Sequence, residues 1–234
     1  MRYFLILLIL FINTGFAYQI HSSSQYNLSQ EPGERILFIL DCSNSMTEYL
    51  DGQRKIDLMI DTMTKLLLNI DKNTSVGLRV YGHKGGLTAF DACRASSLVV
   101  PIATENSHNL ARALNKITPR GMTPITYSLK QAVKNDFMGY KGKKRIILLS
   151  DGGENCDESP CNYVMELIKT RKDIHIDVIA FNIKDKEDLS QLECTALVTS
   201  GKFYTANTAS ELIKSLNNSF GRKKYVDAKI IGNN

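Results

Sequence analysis

Two unbroken apolar runs, Ile36-Leu37-Phe38-Ile39-Leu40 and Ile146-Ile147-Leu148-Leu149, stand out in a chain whose pattern is otherwise mixed. Runs of branched side chains that end abruptly in polar residues predict strands buried on both faces. Elsewhere the period changes. Ile56, Met59, Ile60, Met63, Leu67 and Ile70 recur at helical spacing and predict a long amphipathic helix that closes near Asn69 to Asp71. Val76, Leu78 and Val80 alternate with Gly77, Arg79 and Tyr81, which predicts a strand over 76–81. A glycine-rich stretch, Gly82 to Gly86, leads through a loop to Leu98-Val99-Val100. The intervening piece is too short and irregular for a crossover helix, so 98–100 is expected to be an antiparallel edge strand.

Leu110, Ala113, Leu114 and Ile117 form the next helical stripe. Thr123-Pro124 predicts a further helix start, with Thr123 at the N-cap and Pro124 in the first helical position. Beyond the second apolar run the pattern predicts a helix over 163–172, a strand over 174–181, a helix over 189–199, a short strand over 202–204 and a closing helix over 209–216. Strands alternating with helices imply right-handed crossovers. The predicted fold class is α/β: a doubly wound, mostly parallel six-stranded sheet with one antiparallel edge strand and helices on both faces.

The ends of the chain read differently. Arg2, the apolar stretch Phe4 to Ile12 and Gly15-Phe16-Ala17 have the form of a signal peptide over 1–17, cut after Ala17. An apolar stretch of nine residues falls short of the roughly 20 that a spanning helix needs. Residues 18–33 turn to Ser, Gln, Asn and Pro and read as a disordered leader or linker. Residues 34–220 are long enough for one domain with a full core, and 221–234 form a basic tail. The expectation is a secreted or periplasmic protein whose mature chain has no integral membrane segment. Net charge is +5 over 234 residues, and its basic residues are scattered apart from two short runs, Lys141 to Arg145 and Arg222 to Lys224. No aromatic residues interleave with those runs, so nucleic acid is not an expected partner. Gly139 to Arg145 lacks the glycine spacing and the Ser or Thr after lysine that a phosphate loop needs.

Chemistry concentrates where the apolar runs end. The first leads into Asp41-Cys42-Ser43-Asn44-Ser45 and the second into Ser150 and Asp151. Open α/β sheets bind ligands beyond the carboxyl ends of their strands, where strand order reverses. If the two strands are neighbours, Asp41 and Asp151 share one crevice, and Thr123 reaches it from a helix start. Two carboxylates and three hydroxyls are hard oxygen donors suited to a small divalent cation.

Asp41-x-Ser43-x-Ser45, Thr123 within Gly121-Met122-Thr123-Pro124-Ile125, and Asp151 within Ser150-Asp151-Gly152-Gly153 together resemble the metal-ion-dependent adhesion site of von Willebrand factor type A domains. Val76 to Gly82 and Gly201 to Tyr204 resemble that family's second and last strands. The resemblance covers about 34–220 and implies a Rossmann-like fold. It implies that Asp41, Ser43, Ser45, Thr123 and Asp151 are metal ligands, with Mg2+ the first choice and Mn2+ or Ca2+ next. It further implies a non-enzymatic, adhesion-type module in which the acidic side chain of a partner protein completes the metal's coordination.

Two other readings stay open: a metal-dependent hydrolase, and a structural subunit of an envelope assembly. Against the hydrolase, no histidine stands in an obvious place to activate Ser43 or Ser45; His83 follows the second strand but reads as a surface loop residue. Five cysteines in an exported chain favour disulfides with one thiol left over. Cys156 and Cys161 are expected to form a local bridge beside Asp151, whereas Cys93 and Cys194 fall at opposite ends of the predicted sheet. Cys42 is expected to point into the core as a small apolar group.

Overall fold

A computed structural model describes residues 33–220, so the signal peptide, leader and basic tail expected from the sequence lie outside the described residues. In chain order the elements are β1 (Arg35–Asp41), a 3-10 turn (Asn44–Thr47), β2 (Tyr49–Leu50), β3 (Gln53–Arg54), α1 (Lys55–Leu67), β4 (Ser75–Tyr81), α2 (Ala89–Ala92) and β5 (Ser96–Ala103). There follow α3 (Ser107–Leu114), α4 (Ile125–Gln131) with a π-helical continuation (Ala132–Asp136), β6 (Lys144–Ser150), α5 (Pro160–Leu167), β7 (Ile174–Phe181), α6 (Lys186–Val198), β8 (Phe203–Ala206) and α7 (Ala209–Ser219).

Six strands form one sheet in the order β5-β4-β1-β6-β7-β8. All pairings are parallel except β4 with β5, which is antiparallel as the sequence predicts. β1 lies between β4 and β6, so the chain moves first to one side of β1 and then to the other. The reversal of strand order therefore falls between β1 and β6, at the ends that carry Asp41 and Asp151.

Alternation along β1 divides the core. Ile36, Phe38 and Leu40 pack with Met59, Met63 and Leu67 of α1 and Leu212 and Leu216 of α7 on one face. Leu37 and Ile39 pack with Leu129 of α4, Val164 of α5 and Leu192 and Ala196 of α6 on the other. The two apolar runs have no polar side because both faces of the strands are covered. At about 25 cal/mol per Å2 of apolar surface, each fully buried Leu or Ile here contributes roughly 1.5–3 kcal/mol.

The structure departs from the sequence reading in four places. β2 and β3 form a small hairpin whose Asp51 and Gly52 both have positive φ (52° and 83°). That is the geometry an Asp-Gly hairpin turn requires, and the dipeptide is a signal the apolar pattern does not carry. α2 is a four-residue helix inside the expected loop, held by a capping box between Thr88 and Asp91. Thr123 does not cap α4: Pro124 adopts φ −81°, ψ 69°, outside the helical region, and the helix begins at Ile125. Finally, Cys156 is not joined to Cys161. The bridges are Cys93–Cys156 and Cys161–Cys194, while Cys42 is free and buried in the core as expected. Cys161 sits on α5 and faces Cys194 of α6, whereas Cys156 lies in the preceding loop and meets Cys93 at the end of α2.

Candidate metal centre

β1 and β6 run side by side in register from Arg35↔Lys144 to Leu40↔Leu149, so Asp41 and Ser150 come off adjacent strand ends. Asp41 is fully buried, and its two oxygens are held separately. Oδ1 accepts the Ser43 N–H at 2.8 Å and Oδ2 accepts the Ser150 hydroxyl at 2.7 Å. Behind them, the Tyr81 hydroxyl donates to Ser150 Oγ at 2.8 Å, so the end of β4 is wired into the same network.

The hydroxyls continue this chain outward. Ser43 Oγ and Ser45 Oγ lie 3.0 Å apart, and Ser45 Oγ donates to Asp151 Oδ1 at 2.6 Å. Asp151 Oδ2 accepts from Lys55 Nζ at 3.0 Å, and the same ammonium contacts Glu48 at 2.7 Å. Lys55 is the first residue of α1, aligned by its backbone N–H on the Glu48 carbonyl at 2.9 Å across the β2–β3 hairpin. Thus Asp41, Ser43, Ser45 and Asp151 form one connected group, as spacing alone could not establish.

Thr123 is buried but makes no side-chain hydrogen bond to that group. Its loop is nonetheless fixed against it: Asn44 N–H donates to the Gly121 carbonyl at 3.0 Å, and Ser43 and Gly121 form a parallel β-bridge. On the opposite side the Thr123 N–H donates to Asn155 Oδ1 at 2.7 Å. Gly82 supplies the clearance for this packing. It has φ +68°, and a Cβ there would lie 2.6 Å from Ser43 N and 2.7 Å from the Met122 carbonyl oxygen.

Electrostatically the site is strained in one sense. Burial, and then the neighbouring charge of Asp151, push the Asp41 carboxyl up to about 6 from its usual 3.8. Asp151 is also raised by burial, against the pull of Ser45 and Lys55. For Lys55, burial works against its charge, but the hydrogen bonds to Glu48 and Asp151 prevail and its pKa is raised. The crevice therefore holds two buried carboxylates and a single buried ammonium, which is shared with Glu48. Among the described residues no cluster of three or more His, Cys, Asp or Glu forms a metal-binding group. Among the described residues, the oxygen atoms that converge here belong to carboxylates and hydroxyls.

Lys55, Tyr81 and Asn155 belong to the site although the motif does not contain them, and Ser150, which stands within the motif, enters as a hydrogen-bond partner of Asp41. Ser150 was the most accessible to sequence reasoning, since it precedes Asp151 at the strand end. Lys55 carries no local signal, because its partner is 96 positions away. The expected surface histidine, His83, has no hydrogen-bond partner for either ring nitrogen and so contacts neither serine.

Comparison with known proteins agrees with this architecture. A sequence model of the von Willebrand factor type A domain matches residues 36–219. The chain is 30% identical over 183 residues to the uncharacterized protein YwmC of Bacillus subtilis (strain 168), covering 76% of this chain and 79% of that protein. Among solved structures it resembles proximal thread matrix protein 1 from the mussel byssus, solved with a zinc-occupied MIDAS motif. The TM-score is 0.62 at 20% identity, over 81% of this chain and 45% of that one. It also resembles the pilus adhesin SpaC of Lactobacillus rhamnosus GG, with a TM-score of 0.61 at 13% identity, over 81% of this chain and 30% of that one. The chain thus spans less than half the length of these two solved proteins. By its sequence over 36–219, its strand order and its helical layers, the chain belongs to the von Willebrand factor type A domain family.

Proposed function

We infer that this protein is an exported, non-enzymatic module that binds a protein partner through a divalent cation. Asp41, Ser43, Ser45, Thr123 and Asp151 would hold the cation, and a carboxylate of the partner would complete its shell. The observation that carries this reading is the linked chain Asp41–Ser43–Ser45–Asp151, whose two carboxylates are buried and short of positive charge. Such a group gains most from a hard cation: carboxylates and hydroxyls at a strand-end crevice are the donors that Mg2+ or Mn2+ selects. When bound, the cation would act as a Lewis acid toward a carboxylate oxygen. The residues of the chain orient the site: Ser150 and the Ser43 N–H fix Asp41, and Gly121 and Asn155 fix the Thr123 loop.

The solved relatives add support, since one is described with zinc in its MIDAS motif and another is an adhesin. Export is supported by the signal-like start of the sequence and by two disulfides, which persist in oxidising compartments. No helix among the described residues is long and apolar enough to cross a membrane. A hydrolase is disfavoured because no histidine among the described residues makes a hydrogen bond to Ser43 or Ser45.

Isothermal titration with Mg2+ and Mn2+ tests the metal assignment: binding is expected for the wild type and lost in Asp41→Ala, and unchanged binding in the variant refutes it. Affinity capture from envelope or host-surface extracts tests the partner mechanism, with EDTA expected to release the bound protein. Retention in EDTA would show that the cation does not bridge the two.

A further inference from the structure

One cavity of the domain lies away from the candidate metal centre. It is a groove of about 750 Å3 between the edge strand β5 and α3, a volume in the range of specific binding sites. Its floor is apolar, formed by Val99, Val100, Ala113 and Ile117. Along one wall, Asn109, Arg112, Ala113 and Lys116 recur at i, i+3, i+4 and i+7, which is a single helical stripe continued into the turn after α3. Arg112 and Lys116 are exposed, and neither has an ion pair or side-chain hydrogen bond among the described residues. His83 lines the groove with both ring nitrogens shielded and unpartnered, and burial keeps its imidazole neutral, with a pKa lowered to about 4.

Two features decide what kind of occupant fits. β5 has a free outer edge, but it contains Pro101 and two register shifts against β4. Proline and bulges are devices that blunt an edge against a further strand. Main-chain strand addition is thus disfavoured, and an occupant has to seat by its side chains. An apolar floor beneath two uncompensated cations selects apolar groups flanked by carboxylates. The groove is also continuous with the metal-bearing end of the sheet. His83 follows Gly82, where a Cβ would collide with Ser43, and Thr118 lies two residues before Arg120, whose N–H donates to the Gly82 carbonyl at 2.9 Å.

We propose that the β5–α3 groove is a docking site for an acidic, apolar peptide segment of a protein partner, which places Arg112 and Lys116 opposite its carboxylates. This deepens the metal-dependent reading, on which its biological use rests, by naming a second contact for the same partner. Groove binding itself needs no metal, and that separates the two tests.

A random-peptide display library selected against the wild-type domain in EDTA should enrich sequences that combine Leu, Ile or Phe with Asp or Glu. The affinity of a selected peptide, read by fluorescence anisotropy, should weaken about tenfold or more in the exposed double variant Arg112→Glu/Lys116→Glu. It should be unchanged in Asp41→Ala. Circular dichroism confirms that the double variant is folded. Three results would overturn the proposal: no acidic enrichment, an affinity that survives the charge reversal within about twofold, or binding that appears only with Mg2+ and vanishes in Asp41→Ala. So would a wild-type dimer in sedimentation that the double variant abolishes, since the groove's occupant would then be a second copy. Failure to bind Mg2+ with peptide binding intact overturns the metal reading alone.

Discussion

The domain buries carboxylates at Asp136, at Asp177 and at the Asp41–Asp151 crevice, and it treats the first and the last in opposite ways. At Asp136, on the π-helical turn after α4, Arg79 of β4 makes two parallel hydrogen bonds, both at 2.7 Å, and Ser96 takes a third guanidinium nitrogen at 3.0 Å. Both side chains of that pair are nearly inaccessible, 5% and 2% exposed, so charge and hydrogen bonding are satisfied together. At Asp41 there is no cation at all; its partners are a backbone N–H and a hydroxyl. Asp151 has only Lys55, which also serves Glu48. Asp177 is also held without a cation, by the Lys202 N–H and the Ser219 hydroxyl, but it stands alone. At the crevice two buried carboxylates share one ammonium, a crowding that a cation from outside would relieve. The contrast between these two regions points to the crevice more directly than the motif does.

The largest effect should come from breaking the satisfied pair. Asp136→Ala leaves Arg79 buried without its counterion and should cost about 3–5 kcal/mol, measured by denaturant unfolding, with Mg2+ binding retained in the folded fraction. Asp41→Asn should do the reverse, abolishing Mg2+ binding in calorimetry while stabilising the metal-free chain by about 1–2 kcal/mol at pH 7. The sign follows from the raised carboxyl. Between the ordinary value of 3.8 and about 6 the folded chain binds more protons than the unfolded one. Metal-free stability therefore falls as pH rises through that window, and the loss is complete above it. A urea titration at pH 4 and pH 7 should show this slope in the wild type and a smaller one in Asp41→Asn, where the raised carboxyl of Asp151 remains.

Lys55→Met sharpens the comparison by removing the crevice's own cation. Mg2+ should bind several-fold more tightly, while the metal-free chain loses about 1.5–3 kcal/mol. Looser Mg2+ binding would mean that Lys55 positions Asp151 rather than competing with the metal. The smallest effect is expected at Lys130–Glu158, an ion pair whose side chains are 44% and 36% exposed. Lys130→Ala should change stability by less than about 1 kcal/mol and leave Mg2+ binding alone.

What the sequence made legible divides along physical lines. β7 was expected over 174–181 and occupies Ile174–Phe181, because its apolar positions, Ile174, Ile176 and Val178 to Phe181, are bounded by polar loops that leave little freedom. The sheet's antiparallel edge followed from a connection too short to cross over. Residues whose meaning depends on distant partners were not legible. Lys55 looks like any helix-opening lysine until Asp151 is brought to it. The disulfides were misjudged for a related reason. Proximity in sequence favoured Cys156 with Cys161, but α2 carries Cys93 to Cys156, and the start of α5 turns Cys161 toward α6. Thr123 shows the limit of local rules, since a Thr-Pro pair that reads as a helix cap is instead an inverse γ-turn before the helix, closed by the Ile125 N–H on the Thr123 carbonyl and anchored by Asn155.

The Cys93–Cys156 bridge has a mechanical consequence. It joins the segment after β4 to the loop after β6, and these are the two loops that flank the strand bearing Asp41. A tug on a partner held at this end of the sheet would otherwise peel one loop at a time, opening each by local unfolding. With the bridge closed, tension entering either loop passes through a covalent bond into both strands that border β1. They run parallel to it, so the load is shared by two rows of backbone hydrogen bonds that must shear together. A partner held at the crevice would therefore pull on loops that yield only together with the sheet behind them.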